Sequence, residues 1–241
     1  MADTPTRGQQ EFGIIAALWR RDLLRLQRER SRWMGVVLQP LLFWLIIGSG
    51  MADTFAIAGA GDVDYLEWFF PGILMMIVLF TVIFATISVI EDRQSGFLQG
   101  VLVAPGSRLA MVLGKVSGVV SMTLIQSALF LALMPLAGYS YLDVNWLTLL
   151  IAVVLSSAFL TGLGICMAWA LPSAQAYHAL MSVVLLPAWI VSGAMFPPPE
   201  GWIQYVMMVN PLTYAVSATR GSMTSVGQGP SVGLSLIVLA G

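Results

Sequence analysis

Few side chains in this sequence have a type and spacing that could do chemistry. The pair Gly114-Lys115 is the nearest approach to a phosphate-binding loop. Such a loop needs a glycine five positions before the second glycine and a hydroxyl residue after the lysine, because its amides cradle phosphate and the hydroxyl holds magnesium. Leu109 stands where the first glycine belongs and Val116 follows the lysine, which excludes a nucleotide site. Cys166 is the one cysteine and lies in an apolar run, so neither a disulfide framework nor a cysteine metal site can form within one chain. His178 is the one histidine and reads as an interfacial polar residue. Asp62-Val63-Asp64 has the look of a metal-binding carboxylate pair, but two acids in a loop read as solvated, and no metal site is expected. A membrane enzyme would need a cluster of His, Asp or Glu, or a nucleophile beside a base, and none is visible.

The elements that hold these residues are apolar. The chain has 241 residues, 58% of them apolar and 10% charged, with mean hydropathy +0.86. A soluble domain is about 45–50% apolar and about 25% charged, so a water-soluble globule, a disordered tail and a nucleic-acid binder are excluded. Residues 33–50, 69–90, 116–136, 147–170 and 179–195 contain no Asp, Glu, Lys or Arg. Each run approaches the ~20 residues that cross a hydrocarbon core of ~30 Å, and one charge at a helix centre would cost roughly 2.5–3.5 kcal/mol. A further run, 232–241, is too short to span and is expected to be the start of a sixth helix cut short. The fold class expected is an all-α polytopic membrane protein, a single transmembrane domain over 1–241. Spans without an ionisable group argue against an ion-coupled carrier.

Basic residues orient the spans. Seven of the 11 precede the first run, Arg93, Arg108 and Lys115 fall in 91–115, and Arg220 follows the fifth run. The loop 51–68 has no basic residue and four acids. The positive-inside rule therefore puts the amino terminus and 91–115 in the cytoplasm. Within 9–32, Phe12, Ile15, Leu18, Trp19, Leu23 and Leu26 recur at three- and four-residue steps among arginines, predicting an amphipathic interface helix. In 91–115 a short apolar piece, 97–103, stops at Pro105-Gly106, which predicts a transverse helix, a turn and a second helix leading into the third span. On the outer side, Pro197-Pro198-Pro199 and Asn210-Pro211 bracket an aromatic piece, predicting a helical hairpin over 197–221 that dips into the bilayer, with Trp202, Tyr205 and Tyr214 at the interface. Gly114-x-x-x-Gly118, Ser156, Ser157, Thr161, Gly162 and Gly164 suit close helix packing. Gln39, Thr123, Gln126 and Ser127 are expected in part to face an internal pathway or a partner, and a dimer with its pathway at the interface is the arrangement such a small bundle favours.

Several local motifs look familiar together. Phe70-Pro71-Gly72-Ile73 opens the second run, and Asp92-Arg93-x-x-Gly96 precedes Leu102-Val103-Ala104-Pro105-x-Ser107-Arg108 and Leu113-Gly114-Lys115. Ser192-Gly193-x-x-Phe196-Pro197 is followed by Asn210-Pro211-Leu212-Thr213-Tyr214 and by Arg220 six residues on. This ordering resembles the type-two permeases of ATP-binding-cassette (ABC) exporters, nearest the drug and nodulation-factor branch of half-size units without a nucleotide domain. The resemblance implies a six-transmembrane-helix bundle in a bacterial inner membrane and a second copy or a related permease beside it. It also implies two copies of a separate ABC ATPase subunit, which would hold ATP and Mg; this chain would bind no cofactor and no nucleic acid, would contact lipid, and would not itself be an enzyme. Asp92, Arg93, Gly96, Phe97, Leu98, Val101, Leu102, Pro105 and Arg108 would form the ATPase-coupling segment. Phe196, Pro197, Trp202, Asn210, Pro211, Tyr214 and Arg220 would form the outer hairpin. The cargo would be an amphipathic or hydrophobic compound, such as a drug, a lipid or a lipid-linked glycan. The alternatives are a non-transporting membrane scaffold or assembly factor, which needs no ATPase, and an intramembrane enzyme, which needs a reactive cluster.

Overall fold

The computed structural model describes residues 7–28, 30–51, 64–97, 107–197, 201–223 and 229–240. The regular structure of these residues is entirely helical: α1 (Arg7–Arg28), α2 (Arg30–Met51), α3 (Tyr65–Gln94), α4 (Arg108–Leu131), α5 (Trp146–Ala170), α6 (Ala174–Trp189), α7 (Trp202–Val209), α8 (Pro211–Met223) and α9 (Val232–Ala240). A 3-10 turn, Met134–Ala137, follows α4, and a π turn, Ile190–Ala194, prolongs α6. Helices α3, α4, α5 and α6 with its π turn are long and apolar enough to cross a membrane, and α2 carries a shorter apolar stretch, Gly35–Met51.

The bundle is built around α3. Its residues are apolar on every side, and a helix of that kind must be enclosed by others. Phe69, Phe70, Ile73, Leu74, Met75, Met76, Ile77 and Val78 have no exposed surface, and α2, α4, α5, α6 and α8 all pack against it. Aromatic rings fill its N-terminal half: Phe70 stacks on Phe130 with centroids 4.4 Å apart, and Trp44 meets Phe70 edge-on at 5.5 Å. Pro71, inside α3, cannot donate to the carbonyl four residues back. That carbonyl, of Glu67, instead accepts from the Tyr139 hydroxyl at 2.9 Å.

Helix starts follow local chemistry. Ser107, Asn145 and Ser173 each accept a backbone N–H three residues on, all at 3.1 Å, as good N-caps do. The run 116–136 lies partly in α4, which begins earlier, at Arg108, and ends at Leu131. The remainder turns through Met134–Ala137, where Pro135 has no N–H to continue the α pattern and Gly138 adopts φ +90°. Residues 9–32 divide between α1 and α2.

Small residues permit the closest contacts. A Cβ at Gly114 would come within 3.0 Å of the Leu18 Cβ, and one at Gly118 within 3.3 Å of the Asp22 Cβ. The Gly114-x-x-x-Gly118 face thus lets α1 lie along α4, so the stripe Ile15–Leu18–Asp22 of the amphipathic helix meets protein. The exposed face of α1 carries Phe12 and Trp19. Thr123, Gln126 and Ser127 are buried inside the chain, where the Thr81 hydroxyl meets Gln126 Oε1, whereas Gln39 is exposed.

At Gly72 an added methyl would stand 2.5 Å from the Ala194 carbonyl oxygen, an immovable backbone atom. Gly72→Ala should therefore destabilise the protein by about 1–3 kcal/mol. Gly162→Ala, with nothing within 4 Å of its new atom, should leave stability unchanged or raise it by up to about 1 kcal/mol. Thermal unfolding of the two variants in one detergent checks the opposite signs.

Candidate functional site

Two polar assemblies sit at opposite ends of α3. The first forms where the helix leaves its apolar run. Ser88 and Asp92 are four residues apart and share one face, turned toward α1 and α4. Lys115 of α4 donates to Ser88 Oγ at 2.8 Å and lies 3.1 Å from Asp92 and 3.2 Å from Asp22 of α1. Arg21 reaches Asp92 at 2.6 Å and Asp22 at 3.0 Å, and Arg25 pairs with Glu91 and stands 3.8 Å from Asp92. Asp22, Asp92 and Lys115 are all buried. Charges taken out of water persist only when paired and hydrogen-bonded, and these six charged side chains, with Ser88, satisfy one another. Burial lowers the pKa of Arg21, but the hydrogen bond to Asp92 and the charges of Asp22 and Asp92 outweigh it and hold the guanidinium above its ordinary value.

Arg93, one residue on, faces the other way. Its guanidinium donates to the Trp169 carbonyl at 2.9 Å and also to the Leu171 carbonyl, while Gln94 donates to the Pro172 carbonyl at 3.2 Å. These acceptors are at the C-terminal end of α5, where carbonyls lack helical partners and a cation is favoured. Gly96, at φ +76°, closes the end of α3, and Phe97 is exposed with the Arg21 guanidinium 4.2 Å from its ring centroid. Arg108 opens α4 and is exposed. Leu98, Val101, Leu102 and Pro105 lie outside the described residues.

The second assembly is at the other end. Arg220 of α8 is buried at 3% exposure, its guanidinium 3.8 Å over the Trp68 ring. It donates to the Gly193 carbonyl at 3.0 Å and, at longer range, to those of Trp68 and Ala194. The π turn makes this necessary. Gly193 takes φ +82° there, and the break in helical geometry leaves carbonyls for a side chain to satisfy. Trp189 donates to the Gly72 carbonyl at 2.9 Å and Tyr65 to the Met195 carbonyl at 3.1 Å, tying the same turn to α3. Asn210 is buried between α7 and α8. Its amide donates to the Ala188 carbonyl at 2.6 Å, and its oxygen accepts from Leu212 N at 3.0 Å. Pro211 begins α8, and Tyr214 donates to the Met208 carbonyl at 2.7 Å. Phe196 and Trp202 are exposed, and Pro197 is half-buried. Asn210, Arg220 and the π turn thus come together, while Trp202 sits apart on the exposed face of α7.

A sequence model of the ABC-2 type transporter family matches residues 14–224, a stretch that includes both assemblies. The chain belongs to that family. This ABC-2 chain is 29% identical to a chain named as a transport permease, ycf38, of Porphyra purpurea, over 86% of its own length and 72% of the relative's. It is 28% identical to the ycf38 permease of Cyanophora paradoxa, over 88% and 73%. It is also 24% identical to the daunorubicin resistance ABC transporter permease protein DrrB1 of Streptomyces coeruleorubidus, over 99% and 84%. ABC-2 permeases are the membrane component of a transporter, not its catalyst, and in general work with an ABC ATPase. The protein is integral to a membrane.

Several participants were not read as site residues from the sequence, among them Asp22, Lys115 and Trp68. Asp22 was readable as the one acid on the stripe Ile15–Leu18–Asp22, where an unpaired charge would be costly. Lys115 carried the complementary signal, a cation at a span boundary next to a small-residue face. Nothing in the sequence points to Trp68 as the platform under Arg220.

Removing one partner of a buried ion pair leaves an uncompensated charge and costs about 3–5 kcal/mol. Asp92→Leu, which leaves Lys115 and Arg21 to share Asp22 with one cation in excess, is expected to reach that range. Arg20→Ala, at an exposed position of α1, should stay within about 0.5 kcal/mol. Arg220→Lys should not restore what Arg220→Met loses, because an ammonium cannot stack on Trp68 and reach several carbonyls as a planar guanidinium does. Unfolding midpoints of the four variants, measured side by side, decide both points.

Proposed function

We propose that this ABC-2 chain is the permease subunit of an ATP-driven exporter. It crosses a bacterial inner membrane as a six-helix bundle with its amino terminus in the cytoplasm, and a second copy or a related permease completes the pathway. Two separate ATPase subunits hold ATP and magnesium beneath it. The observation that supports this reading most is the end of α3 at Asp92-Arg93, held on one side to α1 and α4 and on the other to α5. A push delivered just beyond Gly96 reaches four helices at once. In this reading the segment from Phe97 to Pro105 seats in a groove of the ATPase, and closure on ATP moves α3 through that joint. The assembly around Arg220 and the hairpin α7–α8 closes the far side of the pathway.

The cargo in this reading is amphipathic or hydrophobic. The drug-resistance name of the Streptomyces relative supports that class, and the apolar spans supply compatible walls. Alternating access of this kind needs no ionisable group within the bilayer.

Purification of the protein from its native host in a mild detergent should retain an ABC ATPase in one-to-one ratio. Leu98→Glu or Val101→Glu should abolish transport and lower ATPase co-purification at least about tenfold while membrane insertion is unchanged. No ATPase in the purified complex would favour a membrane scaffold instead, and wild-type transport by both variants would overturn the coupling role of this segment.

A further inference from the structure

A groove of about 510 Å³ opens beside the charged end of α3, between α4 and α5. It is walled by Arg108, Met111, Val112 and Lys115 of α4 and by Ile165 and Trp169 of α5. The α4 residues fall at steps of three, four and seven, so they form one continuous stripe along the helix. That stripe has a cation at either end and flexible or branched hydrocarbon between. Val112 is 40% exposed and Trp169 50% exposed, so the groove opens on the outside of the bundle. The two cations are not equivalent. The Lys115 ammonium turns toward Asp22 and Asp92, at 3.2 and 3.1 Å, so its stem lines the groove while its charge is spent in the cluster. Arg108 is exposed at the mouth.

We infer that this groove binds one anionic phospholipid, with an acyl chain between Val112 and Ile165 and the headgroup phosphate at Arg108. The depth fits. Indoles settle at the level of lipid headgroups, and Trp169, its carbonyl fixed by Arg93 at 2.9 Å, places that level beside the first turn of α4. The charge fits as well: an exposed guanidinium next to an apolar trough matches a molecule that carries a negative head on a hydrocarbon tail, whereas an apolar partner helix would leave Arg108 without an anion. Guanidinium presents a planar fork that suits phosphate oxygens.

The test is native mass spectrometry of the purified protein after exchange with equimolar phosphatidylglycerol and phosphatidylcholine of identical acyl chains. Each basic group near a membrane surface favours anionic lipid by a factor of about five. The wild type should therefore retain a single phosphatidylglycerol about fivefold over phosphatidylcholine. Arg108→Glu should abolish the preference, and Arg108→Lys should keep most of it. Val112→Trp, which fills the trough from an exposed position, should reduce retention of both lipids, and Arg20→Ala should change neither. Circular dichroism checks that each variant keeps its helical content. Equal retention of the two lipids by the wild type, a preference that survives Arg108→Glu, or undiminished retention of lipid by Val112→Trp overturns the assignment. Neither nucleotide nor transport enters the readout, so the exporter reading can fail while the lipid site stands.

Discussion

Asp92 is a carboxylate buried at the point where the most apolar helix of the bundle ends, and much of the arrangement around it answers that single charge. A lone carboxylate there would carry a large desolvation penalty. Lys115 of α4 and Arg21 of α1 remove it, and Asp22 balances the excess of cations in turn. The pairing fixes where α1 can lie. Gly114 and Gly118 let the helix come close enough for Asp22 to reach Lys115, so the small-residue face and the charge cluster are one solution with two parts. An amphipathic helix that a sequence would send to the lipid surface is thereby drawn against the bundle.

The opposite end solves a backbone problem. There the π turn after α6 breaks the regular ladder; Arg220 donates to the Gly193 carbonyl and Tyr65 to the Met195 carbonyl, while Trp189, at the entry to the turn, donates to the Gly72 carbonyl of α3. Irregular backbone within an apolar protein is tolerated where such partners exist. Gly72 makes the contact possible, since its carbonyl accepts from Trp189 and any side chain there would strike Ala194. The chain therefore concentrates its buried charges at helix ends, and the middle of α3 combines apolar packing with the hydroxyl contacts of Thr81 and Thr86.

The helical class and the long apolar crossings were legible because absence of charge over twenty residues has one physical meaning. Asn210-Pro211 was legible as a break, since proline acts on its own backbone whatever surrounds it; Pro135 acts in the same way, but the charge-free run 116–136 continues past it and hides the turn there. The pairings were less so. Asp92 and Arg93 read as a motif, but which neighbour each one meets depends on helix rotation, and a one-residue step changes the facing direction by about 100°. The π turn left no local trace beyond Gly193, because a glycine is compatible with many conformations. Arg220 was visible as an isolated cation late in the chain, yet its stacking on Trp68 joins residues 152 positions apart.

The adjacency of Asp92 and Arg93 also decides how α3 can move. Because the two side chains anchor to opposite neighbours, spinning the helix about its own axis would pull one anchor loose in either sense of rotation. Sliding along the axis, or tilting about the anchored end, stretches both sets of contacts together and needs no exchange of partners. The helix is thus built as a rod with a keyed foot, held more firmly against turning than against tilting.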